Sequence, residues 1–194
     1  MTSTSNTPLQ HPALRRFLVR MRAPIVVLAV LLLARWVRPE WLLPGFAVSM
    51  VGELIQLWCF ASLDKNSTLT ARGPYTMVRN PMYLGRFFIL LGFLMLLGNP
   101  WLLGVYAIGY WFYMDPRVRR EEARLAPIFG AAYEAYCARV RRFVPTWPAT
   151  GEAVAYWNWK LFRQNNAGFN LGATLAVWAL IAAWATWGLP LLRG

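Results

Sequence analysis

The chain has 194 residues, 58% of them hydrophobic and only 14% charged, with eleven Trp and a formal net charge of +12. Soluble domains carry roughly a quarter charged residues, so this composition excludes an ordinary soluble globule and predicts one compact unit with most of its mass in lipid. The positive balance also fails to predict nucleic-acid binding, because the basic residues lack a soluble domain on which a groove could form.

Residues 1–12 are polar and rich in Thr, Ser and Pro, and are expected to form a disordered tail before a single domain over 13–194. The only histidine, His11, lies in that tail, which removes His-based triads and His-ligated metals from consideration. Basic residues at 15–22 precede an apolar run at 24–34, an outline shared with signal peptides. The run ends in Arg35-Trp-Val-Arg-Pro-Glu40 with no small-residue cleavage site, which predicts a retained helix whose Arg35 snorkels to the interface.

Four further apolar runs follow at 41–63, 82–98, 101–114 and 169–189, giving about five membrane helices in an all-α integral membrane protein. A full span takes about twenty residues; the runs at 41–63 and 169–189 reach it, and the other three recruit flanking interfacial residues. If all five cross and the N-terminus is cytosolic, sixteen of the twenty Lys and Arg fall on the cytosolic side. That positive-inside bias predicts a multi-pass protein with its polar chemistry in the cytosol and its C-terminus opposite.

Gly98-Asn99-Pro100 predicts a tight turn joining the third and fourth runs into an antiparallel hairpin. Asp115-Pro116 is expected to stop the fourth helix and start another, since Pro suits a helix's first turn. From 117 to 140, Val118, Leu125, Phe129, Tyr133, Tyr136 and Val140 recur at helical spacing among charges, predicting an amphipathic cytosolic helix with Gly130 as a break or close contact. Residues 140–148 read as an extended connector, and 155–162, with three aromatics and Lys160, as an interfacial helix before the last span. Cys59 lies in an apolar run and Cys137 on a polar segment, so neither a disulfide nor a metal site is expected.

The most informative segment is Arg72-Gly-Pro-Tyr-Thr-Met-Val-Arg-Asn-Pro-Met-Tyr-Leu-Gly-Arg-Phe-Phe88, a polar stretch wedged against a long apolar run. Irregular backbone carrying Arg, Asn and Tyr beside a membrane is where a membrane protein would hold a polar ligand. Some forty residues on stand Glu121 and Glu122, the only adjacent carboxylates in the sequence. Arg117 and Glu121 are four residues apart and share a helix face. In the predicted hairpin Tyr83 and Arg117 meet at one membrane surface. A carboxylate there can pair an ammonium, Arg can fork onto an anion, and aromatic faces attract cations. On a surface helix Glu121 would otherwise be a solvated charge. Glu53, inside a predicted span with Gln56 one turn on, is either a substrate-binding residue or a partner in helix packing, through Gln56 or a Trp. Asp64 reads as a cap or loop charge.

Together, Gly73-Pro-Tyr75, Val78-Arg-Asn-Pro-Met-Tyr-Leu-Gly85, Asn99-Pro100, the stretch from Arg117 to Glu122, Phe129-Gly-Ala-Ala-Tyr133-Glu-Ala-Tyr136 and Pro145 resemble the isoprenylcysteine carboxyl methyltransferase family, related to the phospholipid methyltransferases. The resemblance covers about residues 66–145, leaving 152–190 as interfacial helix and last span. It implies a membrane enzyme that moves the methyl group of S-adenosylmethionine to a lipophilic small-molecule or lipidated acceptor drawn from the bilayer, with the amphipathic helix covering the cofactor pocket. Carboxyl O-methylation of an isoprenylcysteine-type substrate is the family's default. By motif position, Ser67, Thr68, Leu69, Thr70, Tyr75, Asn80, Pro81, Met82, Tyr83 and Glu121 would bind the cofactor, Arg117 and Glu53 the substrate, and Arg117 and Asn80 would serve catalysis. The family's motif is Arg-His-Pro, whereas this chain has Arg79-Asn80-Pro81. Asn hydrogen-bonds but cannot titrate near neutrality, which favours an acceptor that needs no base. The rival readings are a phospholipid amine N-methyltransferase, a nicotinamide-dependent reductase of the sterol-reductase type, and a non-catalytic membrane scaffold.

Overall fold

A computed structural model describes residues 33–64, 68–147 and 154–193. The run at 24–34 and Ser67 therefore lie almost wholly or wholly outside the described residues. The chain divides into two compact units, Met1–Val37 and Arg38–Gly194. In the first, the described part is the end of a helix closing in a turn, with Trp36 N donating to Leu33 O at 2.9 Å.

The second unit is all-helical over its described residues. A 3-10 turn, Pro39–Trp41, leads into α1, Leu42–Ser62. A second 3-10 turn, Gly73–Thr76, precedes α2, Pro81–Met95, and α3 follows at Pro100–Arg139. Then come α4, Trp159–Gln164, and α5, Ala167–Ala183, which runs through a π-helical turn at Trp184–Gly188 into α6, Leu189–Arg193. Among the described residues two helices, Pro39–Ser62 and Ala167–Leu191, are long and apolar enough to cross a membrane, and Pro81–Met95 is a shorter apolar helix.

α1 and α2 pair backbone to backbone. A Cβ at Gly45 would lie 2.6 Å from the Gly92 carbonyl oxygen, and one at Gly52 would collide with the Gly85 carbonyl and Ile89. Ser49 Oγ, buried in the same seam, donates to Ile89 O at 2.9 Å. Without a hydrophobic drive between helices in lipid, such close contact and hydrogen bonding are what hold a pair together. Trp178 of α5 closes the far end of the seam, stacked on Phe93 and edge-on to Phe46.

The predicted turn forms as expected: Gly98 takes φ +58°, and Asn99 Oδ1 caps α3 by accepting from the N–H groups of Trp101 and Leu102. α3 packs on α2 through tyrosines that bond its carbonyls, Tyr106 to Phe87 O at 3.0 Å and Tyr110 to Tyr83 O at 2.7 Å.

One expectation is corrected here. Asp115-Pro116 does not stop a helix; α3 runs on through Pro116 and Pro127. Proline removes one backbone hydrogen bond, and nearby bonds hold the turn: Arg119 Nε reaches Asp115 Oδ2 at 2.6 Å and Arg120 Nε reaches Pro116 O at 3.1 Å. The break comes instead at Gly130, with φ +50° and ψ −133°, a conformation open to glycine. Nothing packs within 4 Å of the position a Cβ would take there, so the glycine serves the bend and not a close contact.

Beyond that bend Tyr133, Tyr136 and Val140 are buried against Leu69, Ala71, Leu125 and Phe129. The amphipathic pattern thus lays the end of α3 over the chain that leads into the Gly73–Thr76 turn. α1 ends in a dense set of remote caps. Asn165 Nδ2 donates to Phe60 O and Leu63 O, both at 2.9 Å, Asn158 N to Ala61 O at 3.0 Å, and Arg72 Nε to Ser62 O at 3.1 Å. The carbonyls that a helix end leaves open are here supplied from the motif and from the segment before α5.

Candidate active site

The site forms where the start of α2 meets the middle of α3. Pro81 at the first position of α2 presets the helix, and Asn80 is its N-cap residue. Tyr83, one turn in, directs its hydroxyl to Glu121 Oε2 at 3.4 Å. Arg117, one turn before Glu121, lies with its guanidinium carbon 4.3 Å from the centre of the Tyr113 ring. Arg86 sits 5.7 Å from the Tyr83 ring centre. Tyr83, Glu121, Arg117 and Arg86 therefore share one exposed-to-half-buried patch, in which the sequence foresaw all but Arg86.

The two adjacent carboxylates have different surroundings. Glu122 accepts a side-on fork from Arg142, with NH2 to Oε2 at 2.6 Å and Nε to Oε2 at 3.0 Å. Arg79 NH1 lies 3.7 Å from its Oε1, and the Asn80 amide donates to the same oxygen at 3.5 Å. Arg142 also comes within 3.9 Å of Asp115, and its bond to Glu122 holds the guanidinium above its usual range. Glu121, by contrast, pairs with no guanidinium among the described residues. Its one hydrogen bond there is the neutral Tyr83 hydroxyl. One carboxylate is thus neutralised in place, and its neighbour has no charged partner among the described residues.

The connector after α3 is stitched to the motif. Arg79 N donates to Arg141 O at 2.9 Å, Thr146 N to Met77 O at 2.8 Å, and the second Asn80 amide hydrogen reaches Arg142 O at 3.4 Å. Sequence reasoning missed Arg142, whose only signal was a run of Arg at 139, 141 and 142 that also reads as a solvated charge cluster.

Other predicted residues take plainer positions. Tyr75 is buried, its carbonyl accepting from Tyr136 Oη at 2.7 Å. Burial, with Cys59 beside it, pushes its phenol well above the usual range; burial likewise raises Tyr133 and Tyr136. Pro81 is fully buried, and Met82 packs on the cluster of Leu57, Phe60 and Ala167. Leu69 lies under the end of α3, Thr70 Oγ1 accepts from Asp64 N at 3.4 Å, and Thr68 is exposed.

Glu53 stands apart from this group. The partner it takes is neither of the two the packing reading offered, Gln56 or a Trp: Thr174 Oγ1 of α5 donates to Oε2 at 2.9 Å. Its Oε1 is buried without a hydrogen-bond partner. Gln56 instead lies against Gly85, which draws it toward α2.

The described residues are helical and largely apolar, as in a membrane protein, with a polar patch where α2 starts beside α3. The Phospholipid methyltransferase family matches residues 45–132. Protein-S-isoprenylcysteine O-methyltransferase of Schizosaccharomyces pombe is 36% identical over 85 residues, which are 44% of this chain and 36% of that protein. The Tribolium castaneum protein of the same name is 30% identical over 113 residues, 52% of this chain and 40% of its own. Cobalt-zinc-cadmium resistance protein CzcN of Cupriavidus metallidurans is 30% identical over 164 residues, 75% of each chain. The chain belongs to the isoprenylcysteine carboxyl methyltransferase family, a group of membrane methyltransferases related to the phospholipid methyltransferases. Its match spans little more than a third of the length of the named isoprenylcysteine methyltransferases. No solved structure matches it.

Proposed function

We propose that this chain transfers a methyl group from S-adenosylmethionine to a lipophilic acceptor, by carboxyl O-methylation of an isoprenylcysteine-type thioether. The observation that carries this reading is the split between the two carboxylates. Glu122 is matched by Arg142 and Arg79, while Glu121 sits unpaired by guanidinium beside Tyr83. A carboxylate next to aromatic rings suits a ligand that carries an ammonium and a sulfonium.

When bound, S-adenosylmethionine supplies a methyl group on cationic sulfur, and transfer leaves the electron pair of the broken bond on that sulfur. Glu121 would hold the ammonium, with Tyr83 fixing the carboxylate's direction. Asn80, Pro81 and Met82 would line the adenosyl side, with Tyr75 behind them and residues 67–70 at the pocket's edge. Arg117 would fork onto the acceptor's carboxylate and hold it in line. A carboxylate is already a nucleophile, so catalysis would rest on orientation and exclusion of water. Both amide hydrogens of Asn80 are engaged and the group does not titrate, in keeping with an acceptor that needs no base. Glu53, with one free oxygen deep among the helices, would meet the acceptor from the membrane side. The site would face the cytosol, as the distribution of Arg and Lys suggests, with five spans and the C-terminus on the opposite face.

The test is titration calorimetry of S-adenosylmethionine into detergent-purified protein, with Glu121→Gln alongside. Saturable binding that weakens about tenfold or more in the variant, the loss of one charged hydrogen bond, is expected. A folded wild type that binds nothing would sink the proposal. Offering an S-farnesyl thioether with a free carboxylate, against vesicles of an amine phospholipid, then decides between O- and N-methylation.

A further inference from the structure

Four described helices start at an asparagine, and in two of them its side chain caps the helix. Asn99 Oδ1 accepts from Trp101 N and Leu102 N, and Asn158 Oδ1 from Lys160 N and Leu161 N. Asn166 at α5 makes no side-chain cap and has a left-handed backbone; Asn80 holds the same position at α2, with φ negative, and makes none either. An N-cap bond contributes about 1 kcal/mol, so its omission calls for another tie on the amide.

That tie is visible in its partners. Asn80 Nδ2 donates to Glu122 Oε1 at 3.5 Å and to the Arg142 carbonyl oxygen at 3.4 Å. Both partners only accept. Turning the amide over would set Oδ1 against two oxygens, so the orientation is fixed by chemistry: nitrogen toward Glu122 and Arg142, oxygen away from them. Among the described residues no hydrogen bond reaches Oδ1. The half-buried side chain therefore presents a fixed acceptor on the side away from the network.

Arg142 supports this arrangement twice. Its carbonyl takes one amide hydrogen, and its guanidinium fork sets the Glu122 carboxylate that takes the other. It comes from the connector after α3, twenty residues beyond Glu122 and sixty-two beyond Asn80. The connector's own bonds to Arg79 and Met77 keep it there.

We infer that Arg142 is a positioning residue for cofactor binding: through Glu122 it locks the Asn80 amide so that Oδ1 accepts a hydroxyl or amino hydrogen from the adenosyl part of S-adenosylmethionine. This rests on the methyltransferase reading above. Lysine at 142 would keep the charge but lose the planar fork, so charge balance and orientation separate in one variant.

The experiment is a double-mutant cycle in S-adenosylmethionine affinity, by calorimetry on detergent-purified wild type, Arg142→Lys, Asn80→Ala and the double variant, with thermal unfolding measured on each. Arg142→Lys and Asn80→Ala are each expected to weaken binding about tenfold, the worth of one hydrogen bond to a charged ligand. The double variant is expected to stay near tenfold, because both changes remove the same contact. A double variant about a hundredfold weaker would overturn the inference, and so would Arg142→Lys binding like wild type. Wild type that binds nothing would overturn the methyltransferase reading itself, an outcome distinct from either. Should Arg142→Lys lose its fold, Glu122→Gln breaks the fork from the other side and must give the same non-additive pattern with Asn80→Ala.

Discussion

At the scale of single residues, the site turns on which polar atoms are already committed. Tyr83 offers its hydroxyl to Glu121 and its backbone carbonyl to Tyr110, so one residue ties the carboxylate to both helices. Tyr83→Phe removes only the first tie, and should weaken S-adenosylmethionine binding several-fold in calorimetry while the melting temperature stays put. Asn80→His tests the amide's polarity differently. A neutral imidazole can give one N–H to Glu122 and turn its other nitrogen outward as an acceptor. Protonation converts that nitrogen to a donor. The variant should therefore transfer methyl groups above the ring's pKa and lose activity as pH falls through it, a limb absent from wild type over the same range. A flat profile in the variant would show that position 80 does not face the ligand. Glu121 and Tyr83 could be matched from sequence because a hairpin brings the start of one helix beside a later stretch of the next. Arg142 could not, because a bare run of arginines does not say which of them turns inward.

At the scale of elements, the helices were legible wherever apolar length or turn chemistry decided them. Gly98-Asn99-Pro100 gives its hairpin, and α1 begins and ends within a residue of the apolar run. The helix stop at Asp115-Pro116 was misread because proline's preference for a first turn is only local. Residues on both sides favour helix, and a single lost bond does not outweigh them. Gly130 was legible as a special position, but only the backbone shows that it bends the chain. Gly130→Ala should destabilise the fold by about 1–3 kcal/mol, the cost of a non-glycine residue in a sparsely populated conformation. Gly52→Leu should do worse. A side chain there meets α2 backbone, which cannot yield like a flexible side chain, and loss of folded, monodisperse protein in size-exclusion chromatography is the expected result.

At the scale of the whole molecule, distant segments converge on the end of α1. Arg72 from the motif, with Asn158 and Asn165 from the stretch before α5, all bond carbonyls at that end. Arg72 also lies 4.2 Å from the centre of the Tyr156 ring. Asn165→Ala, which frees one buried and one half-buried carbonyl at once, should cost about 1–3 kcal/mol in thermal unfolding and loosen the motif although it touches no ligand. Topology is read most directly with a reporter fused at the C-terminus: a signal from the side opposite the cytosol supports five spans, and a cytosolic signal sinks that count.

The length of α3 has a mechanical consequence. From residue 100 to the bend at 130 it runs about 45 Å at the helical rise, well beyond a hydrocarbon core of about 30 Å. The same helix carries Glu121, and Tyr106 and Tyr110 bond it to α2. A bilayer too thin or too thick for the bundle must tilt its helices. A tilt between α2 and α3 would alter the contact between Tyr83 and Glu121. Reconstituted in lipids of graded acyl length, the protein should bind S-adenosylmethionine best at one thickness and lose affinity on either side, which would make the membrane itself a setting for binding.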